Sequence, residues 1–265
     1  MSPKLSFIES LARQAGEIIR SGYNPRPSSR DALQLKYKGV IDLVSDIDLQ
    51  AERLIVDQIQ SEFPADRIVS EESGITNEME GCTCYVDPLD GTINFIHGLP
   101  LFCVSLAYAE HGEMKLGVVY DPLRDECFTA ERGQGAFLNG APIRVSSTSS
   151  LNESLLVTGF SYNIREIEAN NLDNFARFST RTRGVRRLGS AALDLCYVAA
   201  GRLDGYWELD TFPWDFAAGS LIAKEAGAMV TNLKGEPELL IPPHPILACT
   251  PLIHKEMLDV LWGRA

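Results

Sequence analysis

The stretch Asp87-Pro88-Leu89-Asp90-Gly91-Thr92-Ile93-Asn94-Phe95-Ile96-His97-Gly98 constrains this chain most, because it puts two carboxylates and a tight turn at the end of an apolar run. Tyr85 and Val86 read as the last residues of a buried strand, Pro88 ends the ladder, and Gly91 permits a turn from which Thr92 opens a helix. Backbone N–H groups would face outward there. Carboxylates spaced this way around a turn bind hard divalent cations, while the helix start beside them offers donors to an anion. A metal and a phosphate would meet at this point. The same residue types also build ordinary capped loops, so the remainder of the chain must decide.

At 265 residues the chain can bury a full core, as one large domain or two modest ones. Apolar residues at 45% and charged residues at 23% are those of a globular protein. A net charge of −12 disfavours a nucleic-acid backbone or an anionic membrane as main partner, since both reward clustered Lys and Arg. Met1-Ser2-Pro3-Lys4 leads into a charged amphipathic pattern, and no long uncharged apolar run follows, so a cytoplasmic location is expected. The six cysteines lie mostly in apolar runs without the paired spacing of zinc or redox centres, and read as reduced core residues. Cys196 and Arg202 have the bare spacing of a cysteine-phosphatase loop, but the residues between them lack its glycines and follow helical periodicity.

Residues 4 to 21 carry apolar positions at helical spacing, and Gly22 ends that pattern. A second helix capped by Ser45 or Asp46 runs to Phe63, with Asp48 in its first turn, where an acid ordinarily compensates the helix dipole. Lys36 falls in a short strand, where solvated lysines are common. Arg67 to Ser70 is a strand ending in the adjacent acids Glu71 and Glu72, which would point to opposite faces. Leu101 to Val145 alternates in short runs between turn signals and reads as an antiparallel meander. Ser146 to Ser150 separates two halves, 1–145 and 151–265. In the second half, a charged helix is expected near 166 to 179, and a small-residue helix opens at Gly189-Ser190-Ala191-Ala192. Asp215 sits at a strand-to-helix junction, and alternating strands and helices give an α/β pattern.

Glu71, Asp87, Asp90 and Asp215 thus each stand beside a strand or turn end. Carboxylates with a carbonyl and a substrate phosphate suit Mg²⁺ better than zinc. The absence of a Gly-rich phosphate loop, a kinase signature or a dinucleotide fingerprint leaves water as the expected acceptor. Asp46-Ile47-Asp48 is similar to the aspartate pair of haloacid-dehalogenase phosphatases, but it opens a helix and lacks the following threonine.

Asp87 to Phe95, with Glu71-Glu72-Ser73 upstream and Trp214-Asp215-Phe216-Ala217-Ala218-Gly219 downstream, resembles the inositol monophosphatase family over nearly the whole chain. The aspartate-proline motif is shared with fructose-1,6-bisphosphatases and phosphoadenosine-phosphate phosphatases; the Trp-Asp motif and Gly189-Ser190-Ala191-Ala192 favour the inositol branch. The resemblance implies a layered αβαβα sandwich, two or three Mg²⁺ ions, lithium sensitivity and a homodimer.

Position by position, the resemblance implies that Glu71, Asp87 and the Leu89 carbonyl hold one metal, and that Asp87, Asp90 and Asp215 hold a second. A third would lie at Glu71 with Glu72 nearby. It gives Thr92 and Asp48 the orientation of the attacking water, with Lys36 beside them, and the N–H groups of Gly91 and Thr92 the phosphate. Asp90, Ser190, Ala191 and Glu208 would contact hydroxyls of the alcohol. Human-type members carry a histidine where this chain has Phe212. Arg181, Arg183, Arg186 and Arg187 make a solvated face, or else contact a second phosphate or a partner subunit. The expected activity is hydrolysis of myo-inositol 1-phosphate or a similar sugar or polyol phosphate. Fructose-1,6-bisphosphatase or dual activity is the next reading, then phosphoadenosine-phosphate or histidinol-phosphate hydrolysis, or a silent phosphate-binding module.

Overall fold

A computed structural model describes residues 2–25, 36–37, 43–44, 46–76, 81–168 and 170–264. In α1 (Pro3–Gly22), Ser2 caps the first turn by accepting the Leu5 N–H, and Leu5, Ile8, Leu11, Ala12, Ala15 and Ile19 bury one face. The short strands β1 (Lys36–Tyr37) and β2 (Leu43–Val44) pair antiparallel, and α2 (Asp46–Glu62) follows.

An eight-stranded sheet is built from β3 (Arg67–Ser70), β4 (Gly74–Thr76), β5 (Cys82–Asp90), β6 (Cys103–Glu110), β7 (Glu113–Asp121), β8 (Glu126–Glu131), β9 (Ala136–Leu138) and β10 (Ala141–Pro142). Its order is β10-β9-β8-β7-β6-β5-β3-β4, with β3 and β5 parallel and the other neighbours antiparallel. The meander expected from 101 to 145 is present. Between β5 and β6 lies the single-turn helix α3 (Thr92–Ile96).

A smaller sheet holds β11 (Leu155–Thr158), β12 (Gly184–Arg186), β13 (Gly205–Glu208), β14 (Met229–Thr231) and β15 (Ile246–Cys249), ordered β12-β11-β13-β15-β14. Its helices are α4 (Leu172–Ser179), α5 (Ala191–Ala199), α6 (Pro213–Glu225) and α7 (His254–Leu261). The charged helix expected from 166 begins at Leu172, because Asn171 holds a left-handed conformation (φ 69°) and spends its amide on Thr158 and Gly159.

Three apolar clusters define the layers. Leu11, Ile19 and Ile55 of α1 and α2 pack on Val86, Val104 and Val118 of the large sheet. On its other face, α5 and α6 fill the space between the sheets, where Phe128 and Val119 share a core with Tyr206 and Ala248. Beyond the small sheet, Phe178 and Met257 of α4 and α7 close over Trp207 and Leu247. The result is the αβαβα sandwich expected. All six cysteines are free, and five are buried.

The middle layer depends on close approach. A Cβ on Gly117 of β7 would lie 2.8 Å from the Ala218 carbonyl of α6, and one on Gly219 would lie 2.7 Å from the Leu195 side chain of α5. Helix α6 therefore sits tightly on the large sheet, and its N-terminus reaches the C-terminal end of β5.

Candidate active site

Strand β5 carries the first two acids. Asp87 pairs with Ser105 and Asp90 with Cys103, so one extra residue is accommodated between them. The strand expected to end before Pro88 instead continues through a bulge to Asp90. Pro88 is tolerated because bulge positions need not donate to the ladder. Asp87 is buried, and its Oδ1 accepts the Leu89 N–H at 3.0 Å, which tightens the bulge. Gly91 follows at φ 96°, and a Cβ there would also strike the Leu101 carbonyl at 2.8 Å, so this turn requires glycine on both counts.

The turn delivers Thr92 to α2. Thr92 Oγ1 lies 3.0 Å from Asp48 Oδ1 and 2.9 Å from the Leu89 carbonyl oxygen, and both side chains are buried. The expected Thr92–Asp48 pair is thus assembled from segments far apart in the chain. One helical turn beyond Asp48, Glu52 accepts the Ser70 hydroxyl and, at 2.9 Å, the Glu72 N–H. Glu71 lies between those two donors, and its own N–H donates to the Val86 carbonyl at 3.2 Å. The side chain of Lys36 lies outside the described residues.

Asp90 is held from the opposite side. Its Oδ2 accepts the Ser190 hydroxyl at 2.6 Å and the Ala192 N–H at 2.8 Å. Ser190 also caps α5 by accepting the Leu193 N–H, so in this structure its hydroxyl is committed to Asp90 and to the helix. Asn94 donates to the Leu101 and Leu188 carbonyls at 2.7 and 2.8 Å, tying α3 to the loop that leads into α5.

Asp215 sits in the first turn of α6, where its Oδ2 accepts the Phe212 N–H at 2.9 Å. The helix-start role expected of an acid there is real, but it occupies only part of the carboxylate. The Ser105 hydroxyl donates to the Trp214 carbonyl at 3.2 Å, and Ser105 is the strand partner of Asp87. That bond draws the start of α6 toward β5.

Glu71, Asp87, Asp90 and Asp215 consequently line one cavity, together with Leu89, Gly91, Thr92, Ser190, Ala191 and Glu208. Burial, followed by the charges of Glu71, Asp90 and Asp215, raises the Asp87 carboxyl well above its ordinary range. Burial and then Asp90 and Glu71 do the same to Asp215. Burial pushes Asp90 up to about 6 against the opposing donors of Ser190, Ala192 and Ala191. On Glu208, burial outweighs the Tyr206 hydroxyl, which donates at 2.6 Å, and the value reaches about 7. Among the described residues lining the cavity, Arg187 is the only cationic side chain.

Such a set of mutually repelling carboxylates fits a hard cation with oxygen ligands and offers zinc none of the nitrogen or sulfur donors it prefers. Among the described residues, no three potential ligands are already drawn together closely enough to hold an ion.

Several lining residues were not singled out from the sequence as site residues: Asp194, Asp210, Phe160 and Tyr162. Phe212 stacks flat on Trp214, with ring centroids 4.8 Å apart and planes 4° from parallel, and is 49% exposed. Of the arginine cluster, Arg187 lines the cavity, whereas Arg181 bonds the Arg177 carbonyl.

An αβαβα sandwich with an acid-lined cleft where the layers meet defines a class of phosphatases. Residues 1–263 match the model of the inositol monophosphatase family. Nus factor SuhB of Escherichia coli K12 is 41% identical over 262 residues, which is 97% of this chain and 95% of the relative. Among solved structures, extragenic suppressor protein suhB from Bartonella henselae superposes with a TM-score of 0.89 at 37% identity, covering 98% of both chains. Inositol monophosphatase from Anabaena superposes with a TM-score of 0.85 at 38% identity, covering 98% of this chain and 97% of that one. The chain belongs to the inositol monophosphatase family, and so to a superfamily of phosphatases that are generally Mg²⁺-dependent.

Proposed function

We propose that this protein hydrolyses myo-inositol 1-phosphate or a similar sugar or polyol phosphate, with two or three Mg²⁺ ions per site. The observation that carries the reading is the convergence of Glu71, Asp87, Asp90 and Asp215 on one cavity that also exposes Thr92 of the Thr92–Asp48 pair. Glu71, Asp87 and the Leu89 carbonyl would hold one ion, and Asp87, Asp90 and Asp215 a second, with Glu71 and Glu72 near a third. Bound there, the cations would supply charge neutralisation for the phosphate and its leaving oxygen, and a lowered pKa for water.

The chain's own groups handle orientation and the proton. Asp48 accepts the Thr92 proton, leaving the Thr92 oxygen lone pairs to accept from an attacking water. As the water oxygen bonds phosphorus and the ester P–O bond breaks, its proton passes to Thr92 Oγ1 while the Thr92 proton moves to Asp48. The departing alcohol oxygen takes a proton from a second water, and the hydroxide so formed takes up the proton held by Asp48, which restores the pair. Lys36 would add positive charge beside the pair. The amides of Gly91 and Thr92 would hold the phosphate, while Ala191 and Glu208 would orient the alcohol. Ser190 would reach it by way of Asp90.

Phosphate release with Mg²⁺ from inositol phosphate, fructose bisphosphate, phosphoadenosine phosphate and histidinol phosphate ranks the enzymatic readings. Highest kcat/KM on inositol phosphate is expected, and release from none of them would leave a silent phosphate-binding module. The SuhB relatives are named Nus factors. Were this chain to share a role of that kind, an Asp90→Asn variant that abolishes phosphate release should retain it.

A further inference from the structure

Asp194 has no part in the chemistry above, yet it belongs to the wall of the same cavity. It is the fourth residue of α5, only 2% of it is exposed, and its Oδ1 has no hydrogen-bond partner among the described residues. Capping does not explain it, because Ser190 already caps this helix through the Leu193 N–H. A buried carboxylate with an unmet oxygen is a net cost to folding, and an apolar side chain of similar size would avoid that cost. Burial, followed by the nearby charges of Asp90 and Glu208, opposes ionisation of Asp194, while Arg187 at the cavity wall favours it.

Glu208 is the complementary half. Its Oε2 is taken by the Tyr206 hydroxyl at 2.6 Å. A Cβ on Gly159 would fall 1.9 Å from that same oxygen, so the carboxylate occupies space that only a glycine leaves open. Asp194 and Glu208 thus bring two carboxylates to one part of the cavity, each shaped by its surroundings to accept further donors.

We propose that Asp194 is a second specificity-determining acceptor for the alcohol half of the substrate, forming with Glu208 a paired seat for two hydroxyls of a polyol phosphate. The inference rests on the phosphomonoesterase reading and names what that site selects. One hydroxyl donates to the Asp194 carboxylate and another to the Glu208 carboxylate. An alcohol without spare hydroxyls leaves the Asp194 acceptor buried and unmet, which is how a polar pocket rejects an analogue lacking the group it was built to bind.

The test compares hydrolysis of myo-inositol 1-phosphate with that of p-nitrophenyl phosphate, whose leaving group carries no spare hydroxyl. Wild-type, Asp194→Asn and Asp194→Leu proteins are assayed with Mg²⁺, and Tm is measured without substrate. The ratio of kcat/KM on the polyol ester to that on the aryl ester should fall about tenfold in Asp194→Leu, mainly through KM, and by less in Asp194→Asn. The Tm of Asp194→Leu should hold or rise, as expected when a residue kept for binding no longer buries an unmet polar atom. An unchanged ratio, or a lower Tm with equal loss on both esters, would overturn the role of Asp194 alone. Wild-type protein that releases phosphate from neither ester would overturn the phosphomonoesterase reading, and this inference with it.

Discussion

Ser105 and Trp214 are joined by a hydroxyl-to-carbonyl hydrogen bond of 3.2 Å between the middle of the large sheet and the first turn of α6. Ser105 faces Asp87 across the strand pair, and Trp214 precedes Asp215, so one bond links the elements that carry two proposed metal ligands. Ser105→Ala should leave the fold in place, costing about 1 kcal/mol of stability, while raising the Mg²⁺ concentration needed for half-maximal activity about tenfold. A magnesium titration of the variant checks this; an unchanged midpoint would show that α6 is positioned without it.

The Thr92–Asp48 pair gives a second expectation. Thr92→Val preserves shape but removes the oxygen, and Asp48→Asn removes the proton acceptor while keeping the bond to Thr92. Each should lower kcat by about 10² to 10⁴ with smaller effects on KM, the range for lost acid–base assistance. Near-normal turnover in Thr92→Val would remove the pair from the mechanism.

Repulsion among the cavity acids should make stability depend on divalent cations. Mg²⁺ at about 100 times its dissociation constant should add about 2.7 kcal/mol, a rise of roughly 5 to 10 °C in Tm, and a chelator should reverse it. Asp87→Asn keeps the acceptor for the Leu89 N–H while removing one charge. It should melt higher than wild type without metal and gain little from Mg²⁺. Differential scanning calorimetry with and without chelator separates the two effects.

Acid sensitivity has a source away from the cavity. Burial lowers the His254 pKa below 6.5, and its Nε2 lies 3.0 Å from the Thr231 hydroxyl. The unfolded chain therefore binds the proton more readily than the folded one. The stabilisation from neutral His254 is present above the unfolded pKa and is lost as pH falls through the folded pKa. His254→Gln should flatten the fall in stability below pH ~6.5. Urea unfolding midpoints between neutral pH and that acid limb measure it, and parallel curves for both proteins would assign the slope to other groups.

Much of the site was legible because its signals are local. Asp87-Pro88-x-Asp90-Gly91 fixes a turn whatever surrounds it, and Gly91 is needed there by both its φ and the nearby Leu101 carbonyl. Asp48 and Asp215 announced themselves as acids in first turns, and both occupy those positions. The bulge at Pro88 was not foreseen, since proline stops a regular ladder and only the pairing of Ser105 and Cys103 shows that the strand resumes.

By itself, the sequence determined which stretches form strands, turns and helices, apart from the end of β5 and the start of α4, because residue spacing and turn chemistry act over a few positions and need no distant partner. Tertiary structure alone decided that Ser190 holds Asp90, that Glu52 braces the turn bearing Glu71, and that Asp194 Oδ1 is buried with no hydrogen-bond partner among the described residues, in the wall of the cavity that Glu208 also lines. Those relations depend on which faces the close contacts at Gly117 and Gly219 press together, and an acid on a helix has the same spacing whether it meets water, a cation or another acid.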